Sequence, residues 1–274
     1  MADVGALRAG AEEIWWYHSI DLGHGVVTRG ASANPMVPDR KLPDLRGRTV
    51  LDIGAWDGLY SFTAERLGAS RVVALDHYAW GLDFAKRDAY WAECAAAGVL
   101  PDHERDIVDF WDESLPGRRG FDFARAALGS KVEPVVGDFM TIDLASLGTF
   151  DVVLYLGVLY HVRQPLIALE RLRRVCEEVA LIETEAIDVR GYEGDELVRF
   201  VAGNDLSADY GNWWVPSMPA LHGLCRAAGF ETVSTVAGPP PPRTRSFGEK
   251  VARRVLGKRD ITIDYYRAAV HARV

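Results

Sequence analysis

The sequence predicts an α/β protein with a Rossmann-like, seven-stranded, mostly parallel sheet and helices on both faces. Two observations support this fold class. From Thr49 onward, short apolar runs rich in β-branched residues alternate with segments of helical periodicity, which is typical of a parallel sheet covered by helices. Most of these runs are continuously apolar, as strands buried on both faces require.

The strands are predicted where the apolar runs lie. Helical segments separate the first five runs, so these strands should be parallel. The last two runs lie on either side of a proline-rich, basic stretch and could pair antiparallel. The predicted strands are residues 49–53, 71–75, 132–136, 150–156, 179–183, 231–236 and 261–274.

Among the helical segments, residues 164–176 have the clearest amphipathic spacing, and their apolar stripe is expected to pack on the sheet. Another helix is expected to begin near Asp57, after the first strand, and a short one is expected near residues 248–256. The apolar stripe consists of Leu166, Leu169, Leu172 and Val175.

The sheet is predicted to belong to one domain, residues 46–274, preceded by an N-terminal segment, residues 1–45. This segment is rich in aromatic residues from Trp15 onward, which suits a lid over a pocket; equally, Trp15 and Trp16 could only pin a terminal helix to the sheet. Three stretches of the domain are longer than ordinary α/β connections. These insertions are residues 81–120, 187–215 and 238–260.

Composition is that of an ordinary globular protein, with 49% hydrophobic and 26% charged residues among 274. The longest apolar runs are too short to cross a bilayer and the start lacks a signal-peptide pattern, so we expect a cytoplasmic protein with no membrane partner. The three cysteines have no zinc spacing, and no metal site is expected. The net charge of −8 disfavours nucleic acid as a partner without excluding it, because residues 243–259 contain seven Lys and Arg.

Acidic residues follow successive predicted strands. Asp52 ends the first strand before a turn containing Gly54 and Gly58, and glycines let a backbone turn tightly and approach a ligand closely. Asp76 ends the second strand, where a carboxylate can accept both ribose hydroxyls. Asp138 follows the third and could accept the adenine amino group, with Phe139 packing on the ring. Each acid alone could cap a helix, but together they predict a nucleotide cofactor at the carboxyl edge of the sheet.

Residues 49–186 resemble the class I S-adenosylmethionine-dependent methyltransferases, whose first motif is D-x-G-x-G-x-G. Trp56 departs from this motif because it stands at the middle glycine, so the turn is expected either to use ordinary φ there or to be reshaped. Nicotinamide binding is disfavoured because G-x-G-x-x-G is absent. The resemblance implies a cofactor site formed by Tyr17, Asp52, Gly54, Ala55, Trp56, Gly58, Asp76, His77, Asp138, Phe139, Leu156 and Tyr160.

A narrower resemblance lies in residues 156–161 (LGVLYH), 183–188 (ETEAID) and 212–217 (NWWVPS). These segments are similar to the tRNA wobble-uridine carboxymethyltransferase family and its relatives, with a match over residues 45–236 and the final strand. In that family the equivalents of Tyr160 and Arg267 hold the extra carboxylate of carboxy-S-adenosylmethionine, so either this cofactor or ordinary S-adenosylmethionine is implied. Without such a role, Tyr160 is a packed aromatic and Arg267 an edge-strand surface residue.

Methyl transfer from a sulfonium is a direct displacement that needs alignment, exclusion of water and, for some acceptors, a base. His161, at the end of the fourth strand, is the first candidate base because an unperturbed histidine has a pKa of ~6.5; it could instead be a structural histidine bonded to a loop carbonyl. His18 is the second catalytic candidate. The candidate substrate-binding residues are Trp111, Trp214 and Arg267.

The predicted function is therefore methyl transfer to O or N of a small-molecule acceptor, such as a natural product, held in an apolar pocket built by the tryptophan-bearing insertions. One alternative is a tRNA-modifying methyl- or carboxymethyltransferase that uses residues 243–259 against phosphates. Another is a non-catalytic nucleotide-binding protein that keeps the cofactor pocket without turnover.

Overall fold

The computed structural model of the chain describes residues 3–32, 37–241 and 262–274. The helices in these ranges are α1 (Val4–Glu12), α2 (Leu59–Arg66), α3 (Tyr78–Gly81), α4 (Phe84–Ala97), α5 (His103–Val108), α6 (Arg119–Leu128), α7 (Pro165–Val175) and α8 (Met218–Ala227). The strands are β1 (Thr49–Ile53), β2 (Arg71–Asp76), β3 (Glu133–Val136), β4 (Phe150–Leu156), β5 (Cys176–Val189), β6 (Val198–Phe200), β7 (Trp214–Pro216), β8 (Thr232–Ala237) and β9 (Ile263–Arg273). The helix predicted near residues 248–256 and the basic run 243–259 lie outside the described residues.

One seven-stranded sheet organises the described chain, in the order β3-β2-β1-β4-β5-β9-β8. The strands β1 to β5 pair in parallel, and β9 pairs antiparallel with both β5 and β8. The predicted Rossmann-like, mostly parallel sheet of seven strands is confirmed. Because the chain builds outward from β1 to one side and then crosses to β4 on the other, the carboxyl ends of β1 and β4 flank a topological switch point, where ligands bind in such sheets.

The strand bounds follow the predicted apolar runs closely, with one large exception. β5 is expected over residues 179–183 but extends over Cys176–Val189. The extension follows from its pairing with β9, which continues from Val179 opposite Arg273 to Val189 opposite Ile263. A cross-strand ladder of this length is a tertiary feature that the local apolar pattern of either strand does not contain.

Helices cover both faces of the sheet, as predicted, and form two apolar layers. On one face α7 and α8 bury Leu172 and Leu221. On the other face α2 and α6 pack together with the N-terminal segment, and Phe121 and Trp16 are fully buried there. No helix within the described ranges is both long and apolar enough to cross a membrane.

The predicted stripe of α7 is correct except at its first position. Leu169, Leu172 and Val175 are buried, but Leu166 is 37% exposed and Ala168 is buried instead. A strict three-residue spacing drifts by about 60° per step around an α-helix. Leu166 has therefore rotated off the face that contacts the sheet.

Two predicted features near the insertions are refined. α2 begins at Leu59 rather than near Asp57, because Gly58 caps it with φ 89° and leaves Asp57 in the preceding turn. The first insertion folds as α4 and α5, and the second contains the two-stranded sheet of β6 and β7. The third insertion is described only as far as residue 241.

The N-terminal segment folds back onto the domain. Trp16 is 2% exposed; its Nε1 donates to the Ala11 carbonyl at 2.8 Å, and its ring lies edge-on to Phe123. Trp16 thus pins α1 to the core, whereas Trp15 is 66% exposed and lies beside Trp56. Trp16 therefore attaches the terminal helix to the domain, which is the second of the two roles predicted for the tryptophan pair; the first was a lid over a pocket.

Candidate active site

The turn after β1 uses left-handed backbone at Gly54 (φ 76°), Trp56 (φ 50°) and Gly58 (φ 89°). The turn also has no room for a side chain at Gly54, because a Cβ there would lie 2.5 Å from Val158 Cγ2. The first expected alternative, an ordinary φ at Trp56, is wrong, and a turn reshaped relative to the family stays a prediction. Trp56 thus has left-handed backbone, at a cost of about 1–3 kcal/mol for a residue with a side chain.

Contacts around Trp56 explain why this conformation is stable. Its backbone N–H donates to Asp76 Oδ2 at 2.8 Å, and its carbonyl accepts from Trp80 Nε1 at 2.6 Å. The indole ring stacks on Tyr17, with centroids 4.3 Å apart, and on Phe84, at 6.0 Å. The aromatic stack Tyr17–Trp56–Phe84 therefore joins the N-terminal segment, the turn and α4 at one point.

The strand-end acids Asp52 and Asp76 lie buried under this turn, at 2% and 6% exposure. Burial raises the pKa of each carboxyl to about 6, because low-dielectric surroundings disfavour the charged form. Asp52 accepts from the Ser61 hydroxyl at 2.6 Å. Asp76 also accepts from the Ala79 N–H at 3.0 Å, so this carboxylate fixes both the turn and the start of α3.

The N-terminal segment is tied to the same turn by Asp57. Asp57 Oδ2 accepts the backbone N–H groups of Tyr17 at 2.9 Å and His18 at 2.8 Å, and Oδ1 contacts His18 Nδ1. Among the described residues His18 Nε2 is buried without a hydrogen-bond partner. Such a group costs about 1–3 kcal/mol, so it marks a position where a polar atom of a ligand would fit.

A charged cluster lies in the middle of β5, where Glu183 pairs with Leu156 at the end of β4. Arg267, on β9, donates through Nε and Nη2 to both carboxylate oxygens of Glu183, and through Nη1 to Glu185 at 2.9 Å. Glu183 is 1% exposed; burial raises its pKa and Arg267 opposes the rise. All three guanidinium nitrogens thus already donate to carboxylates of the chain itself.

Tyr160 and His161 follow β4 beside this cluster. The Arg267 guanidinium lies 5.0 Å from the centroid of the Tyr160 ring, which is 4.1 Å from that of His161. His161 Nδ1 is 3.0 Å from the Gly211 carbonyl oxygen, so Nδ1 must hold the proton and Nε2 the lone pair of the neutral ring. Desolvation by the surrounding protein lowers the pKa of His161, although Asp209 opposes this.

The next three predicted site residues lie after β3, in the case of Asp138 and Phe139, and beside the end of β2, in the case of Trp111. Asp138 accepts from Met140 N–H and Thr141 hydroxyl, as an acid capping a local turn does. Phe139 is buried beside Tyr155 in the core, so its contact with adenine stays a prediction. Trp111 stacks on His77 at 4.4 Å, beside the end of β2.

Two more predicted residues lie at the other side of the sheet edge, and one lies in the turn. Leu156 ends β4 and is buried. Trp214 begins β7, where its Nε1 donates to the Arg163 carbonyl at 3.0 Å. Ala55 is buried in the turn itself. The structure thus brings Tyr17, the glycine turn, Asp76, Tyr160, His161 and Arg267 to one edge, with Trp111 on the β2 side.

Sequence reasoning omitted Asp57, Glu183 and Glu185 as site residues. Asp57 was visible only as the expected start of a helix, and the two glutamates only within the motif ETEAID. The available signal was their position at or just after the end of the predicted strand, residues 179–183, where Glu183 and Glu185 share a face because side chains alternate with period two. Their partner Arg267 is distant in sequence.

Comparisons with known proteins identify the family of the chain. Residues 35–235 match a family described as a methyltransferase domain. The tRNA U34 carboxymethyltransferase of Pseudomonas putida (strain W619) is 29% identical over 195 residues, covering 70% of this chain and 48% of that protein. The enzyme of the same name from Idiomarina loihiensis is 28% identical, covering 71% and 49%. The chain spans about half the length of the curated relatives it matches.

Solved structures show the same fold. The N-terminal domain of EvdMO1, crystallised in the presence of SAH and D-fucose, has a TM-score of 0.62 at 19% identity, covering 100% of this chain and 97% of that one. A second structure of this domain, with SAH bound, has a TM-score of 0.60 at 19% identity and covers 100% and 98%.

Proposed function

Since this chain belongs to the methyltransferase-domain family, with the fold of class I S-adenosylmethionine-dependent methyltransferases, we propose that it methylates an oxygen or nitrogen of a small-molecule acceptor. One observation is central to this proposal. The carboxyl edge of the sheet combines a left-handed cofactor turn over Asp52 and Asp76 with a histidine of fixed tautomer, His161. That combination provides both a place for the cofactor and a base for the acceptor.

The cofactor residues present fit S-adenosylmethionine. Asp76 would accept the ribose hydroxyls, and Gly54 and Gly58 would allow close approach of the methionine part. His18 Nε2, which is buried without a hydrogen-bond partner in the part of the chain that the structure describes, would bind the amino-acid end of the cofactor. His18 would then be a binding residue rather than the base. When bound, S-adenosylmethionine supplies an electrophilic methyl group on a sulfonium.

Replacing Asp76 by asparagine is expected to weaken S-adenosylmethionine binding by about 1–3 kcal/mol, because a charge-assisted hydrogen bond is lost. In the unaltered protein, affinity should also fall as pH drops through about 6, where Asp76 and Asp52 protonate, and the variant should lose part of that dependence. Calorimetric titrations at about pH 7 and pH 5 measure both effects. Equal affinity of the two proteins would remove Asp76 from the ribose site.

On the acceptor side, His161 acts as the general base. Its Nδ1–H donates to the Gly211 carbonyl, so Nε2 can take the proton from the attacking group. The lowered pKa of the imidazole keeps that lone pair available at neutral pH. The aromatic stack Tyr17–Trp56–Phe84 excludes water from the reacting groups.

A tRNA-modifying carboxymethyltransferase is the second candidate, favoured by the names of the curated relatives. Carboxymethyl transfer requires a guanidinium that can bind the extra carboxylate of the cofactor. In this chain Arg267 faces two carboxylates, Glu183 and Glu185, and a third would meet an excess of negative charge. This electrostatic argument favours ordinary S-adenosylmethionine.

Carboxy-S-adenosylmethionine is accordingly expected to bind at least about tenfold more weakly than S-adenosylmethionine. Glu185→Gln keeps the hydrogen bond to Arg267 but removes one charge, so it should narrow that difference. Competition titrations with both compounds test this, with the exposed Glu193→Gln as the control. Tighter binding of the carboxylated compound to the unaltered protein would instead favour the carboxymethyltransferase.

Turnover itself is tested by incubating the protein with S-adenosylmethionine and small acceptors that present hydroxyl or amino groups. Mass spectrometry should detect S-adenosylhomocysteine and an acceptor heavier by one methylene. Demethylated cofactor would also exclude the non-catalytic nucleotide-binding alternative. Methylation of transfer RNA alone would overturn the small-molecule proposal.

A further inference from the structure

A loop of the second insertion, residues 206–213, lies against Tyr160 and His161, and we name it the orienting loop. Its first residue, Leu206, is buried in a small apolar cluster over the extension of β5. Its last residue, Trp213, donates its backbone N–H to the Tyr160 carbonyl at 2.8 Å. Between them the Gly211 carbonyl accepts from His161 Nδ1 at 3.0 Å. The orienting loop therefore contacts both the imidazole and the backbone that precedes it.

The orienting loop is built around the Leu206 carbonyl. This oxygen accepts from the Asp209 backbone N–H at 3.2 Å and from Asn212 Nδ2 at 2.8 Å, and Asn212 is buried. Ser207 and Ala208 have φ 58° and 55°, a conformation that residues with side chains rarely adopt. These two hydrogen bonds thus maintain a backbone shape that the local sequence disfavours.

Gly211 is the point at which this backbone shape meets the imidazole. Its carbonyl accepts from His161 Nδ1, and its N–H donates to Asp209 Oδ1 at 2.6 Å. A Cβ at Gly211 would lie 3.0 Å from Asp209 Oδ1 and 3.8 Å from His161 Nδ1, so there is little room for a side chain. Asp209 therefore fixes the position of the residue that orients the ring.

The charge of Asp209 also acts on His161. Among the described residues, the charged side chains with the largest effects on this imidazole are Asp209 from the orienting loop, Arg267 from β9 and Arg87 from α4. Desolvation lowers the pKa of His161 most, and both arginines lower it further, whereas Asp209 and the hydrogen bond to Gly211 raise it. The groups that oppose the loss of basicity thus come from one loop.

The other titratable groups near the ring are paired or neutral. Arg87 lies 2.7 Å from Asp88, and Arg267 pairs with two glutamates. Tyr160 stays neutral, because burial raises its pKa to about 12. The Asp209 carboxylate is bonded to a backbone N–H instead, which leaves its negative charge to act on the imidazole.

We propose that Asp209 is a positioning residue for His161, an inference that rests on the proposed function. Through Gly211 it keeps Nδ1–H turned to the loop, which leaves Nε2 for the acceptor, and its charge stabilises the imidazolium that forms during transfer. In that step the acceptor atom bonds to the methyl carbon and gives its proton to Nε2. The electron pair of the former carbon–sulfur bond stays on sulfur, as a neutral thioether. Nδ1 keeps its proton, so none reaches Asp209.

Replacing Asp209 by asparagine tests this role, because the amide oxygen can still accept the Gly211 N–H while the charge is gone. With an acceptor identified by the turnover assay, kcat should fall by about tenfold, less than on loss of the base itself, with KM and cofactor affinity unchanged. The acid limb of the kcat profile should move to lower pH, because a charge that raises the pKa of His161 is removed. Asp209→Glu, which keeps a charge, should recover part of the kcat.

The matched control is Asp205→Asn, in the same insertion. The Asp205 side chain is 76% exposed and lies 3.6 Å from Arg199, so its replacement should change neither kcat nor the pH profile. In a His161→Ala background, Asp209→Asn should change kcat by less than about twofold, because the imidazole through which it acts is gone. A larger further fall would overturn the proposal and assign the effect to the fold of the loop.

Nitrogen-15 NMR observes the imidazole directly and requires no acceptor. The His161 signals, assigned by their loss in His161→Ala, should show the proton of the neutral ring on Nδ1, and in Asp209→Asn the ring should titrate at lower pH. An unchanged titration would overturn the role of Asp209 and leave the proposed function standing. Failure of S-adenosylmethionine to bind in calorimetry would instead contradict the proposed function itself.

Discussion

Replacing His161 by alanine is expected to lower kcat by about 10²- to 10⁴-fold, the usual contribution of a general base, with cofactor affinity unchanged. The physical reason is that no other group with a fixed lone pair has been assigned to the acceptor side, where Nδ1–H donates to Gly211 and leaves Nε2 as acceptor. Single-turnover kinetics with S-adenosylmethionine and the unmethylated acceptor measures the chemical step, and calorimetry measures the cofactor affinity.

The pH profile separates a catalytic role of His161 from a structural one. Because desolvation lowers the pKa of this imidazole, kcat should decline only below about pH 6.5, the ordinary histidine value. His161→Ala should lose this acid limb. His222→Ala is the matched control, since His222 also has a lowered pKa but contacts Thr235 on β8. If His161→Ala retained the full kcat, His161 would not be the base, and its role would be limited to the hydrogen bond with the Gly211 carbonyl.

Replacing Arg267 by methionine is expected to destabilise the fold by about 3–5 kcal/mol, because the buried carboxylate of Glu183 would then have no positive partner. Glu183 is 1% exposed and receives two hydrogen bonds from Arg267. The free energy of unfolding in urea measures the loss. Arg273→Met, at an exposed position of the same strand, is the matched control.

Two further measurements distinguish charge from packing at Arg267. Glu183→Gln in the Arg267→Met background should recover much of the loss, because the stranded charge is gone. The single variant should also lose less stability at about pH 5 than at about pH 7. Burial already raises the pKa of Glu183, and without Arg267 protonation becomes easier still, so the penalty is present above that pKa and shrinks below it. An equal loss in the double variant would assign the effect to packing.

Features written in local sequence pattern were predicted correctly. The continuous apolar runs predicted the sheet, and the family resemblance of residues 49–186 implied a methyltransferase, which the family match confirms. The stripe of α7 failed only at Leu166, because an interval of three was read where the helix turns every 3.6 residues. Local sequence patterns thus predicted the strands, the helices and the family.

Features created by tertiary contact could not be read from the sequence. The left-handed φ of Trp56 depends on Asp76, Trp80 and two flanking rings, which the chain supplies from residues 76–84 and from the N-terminal segment. The pairing of Glu183 with Arg267 depends on the register between β5 and β9. The acceptor identity stays a proposal because the insertions around the carboxyl edge come together only in the folded chain.

The bonds from Asp57 to Tyr17 and His18 also bear on how this protein is to be subdivided. The family match begins at residue 35, so a truncated form designed from it would discard Trp16 and leave a buried carboxylate facing no donors. The unit that folds is longer than the unit that sequence comparison detects. For expression and domain exchange, the boundary belongs ahead of α1.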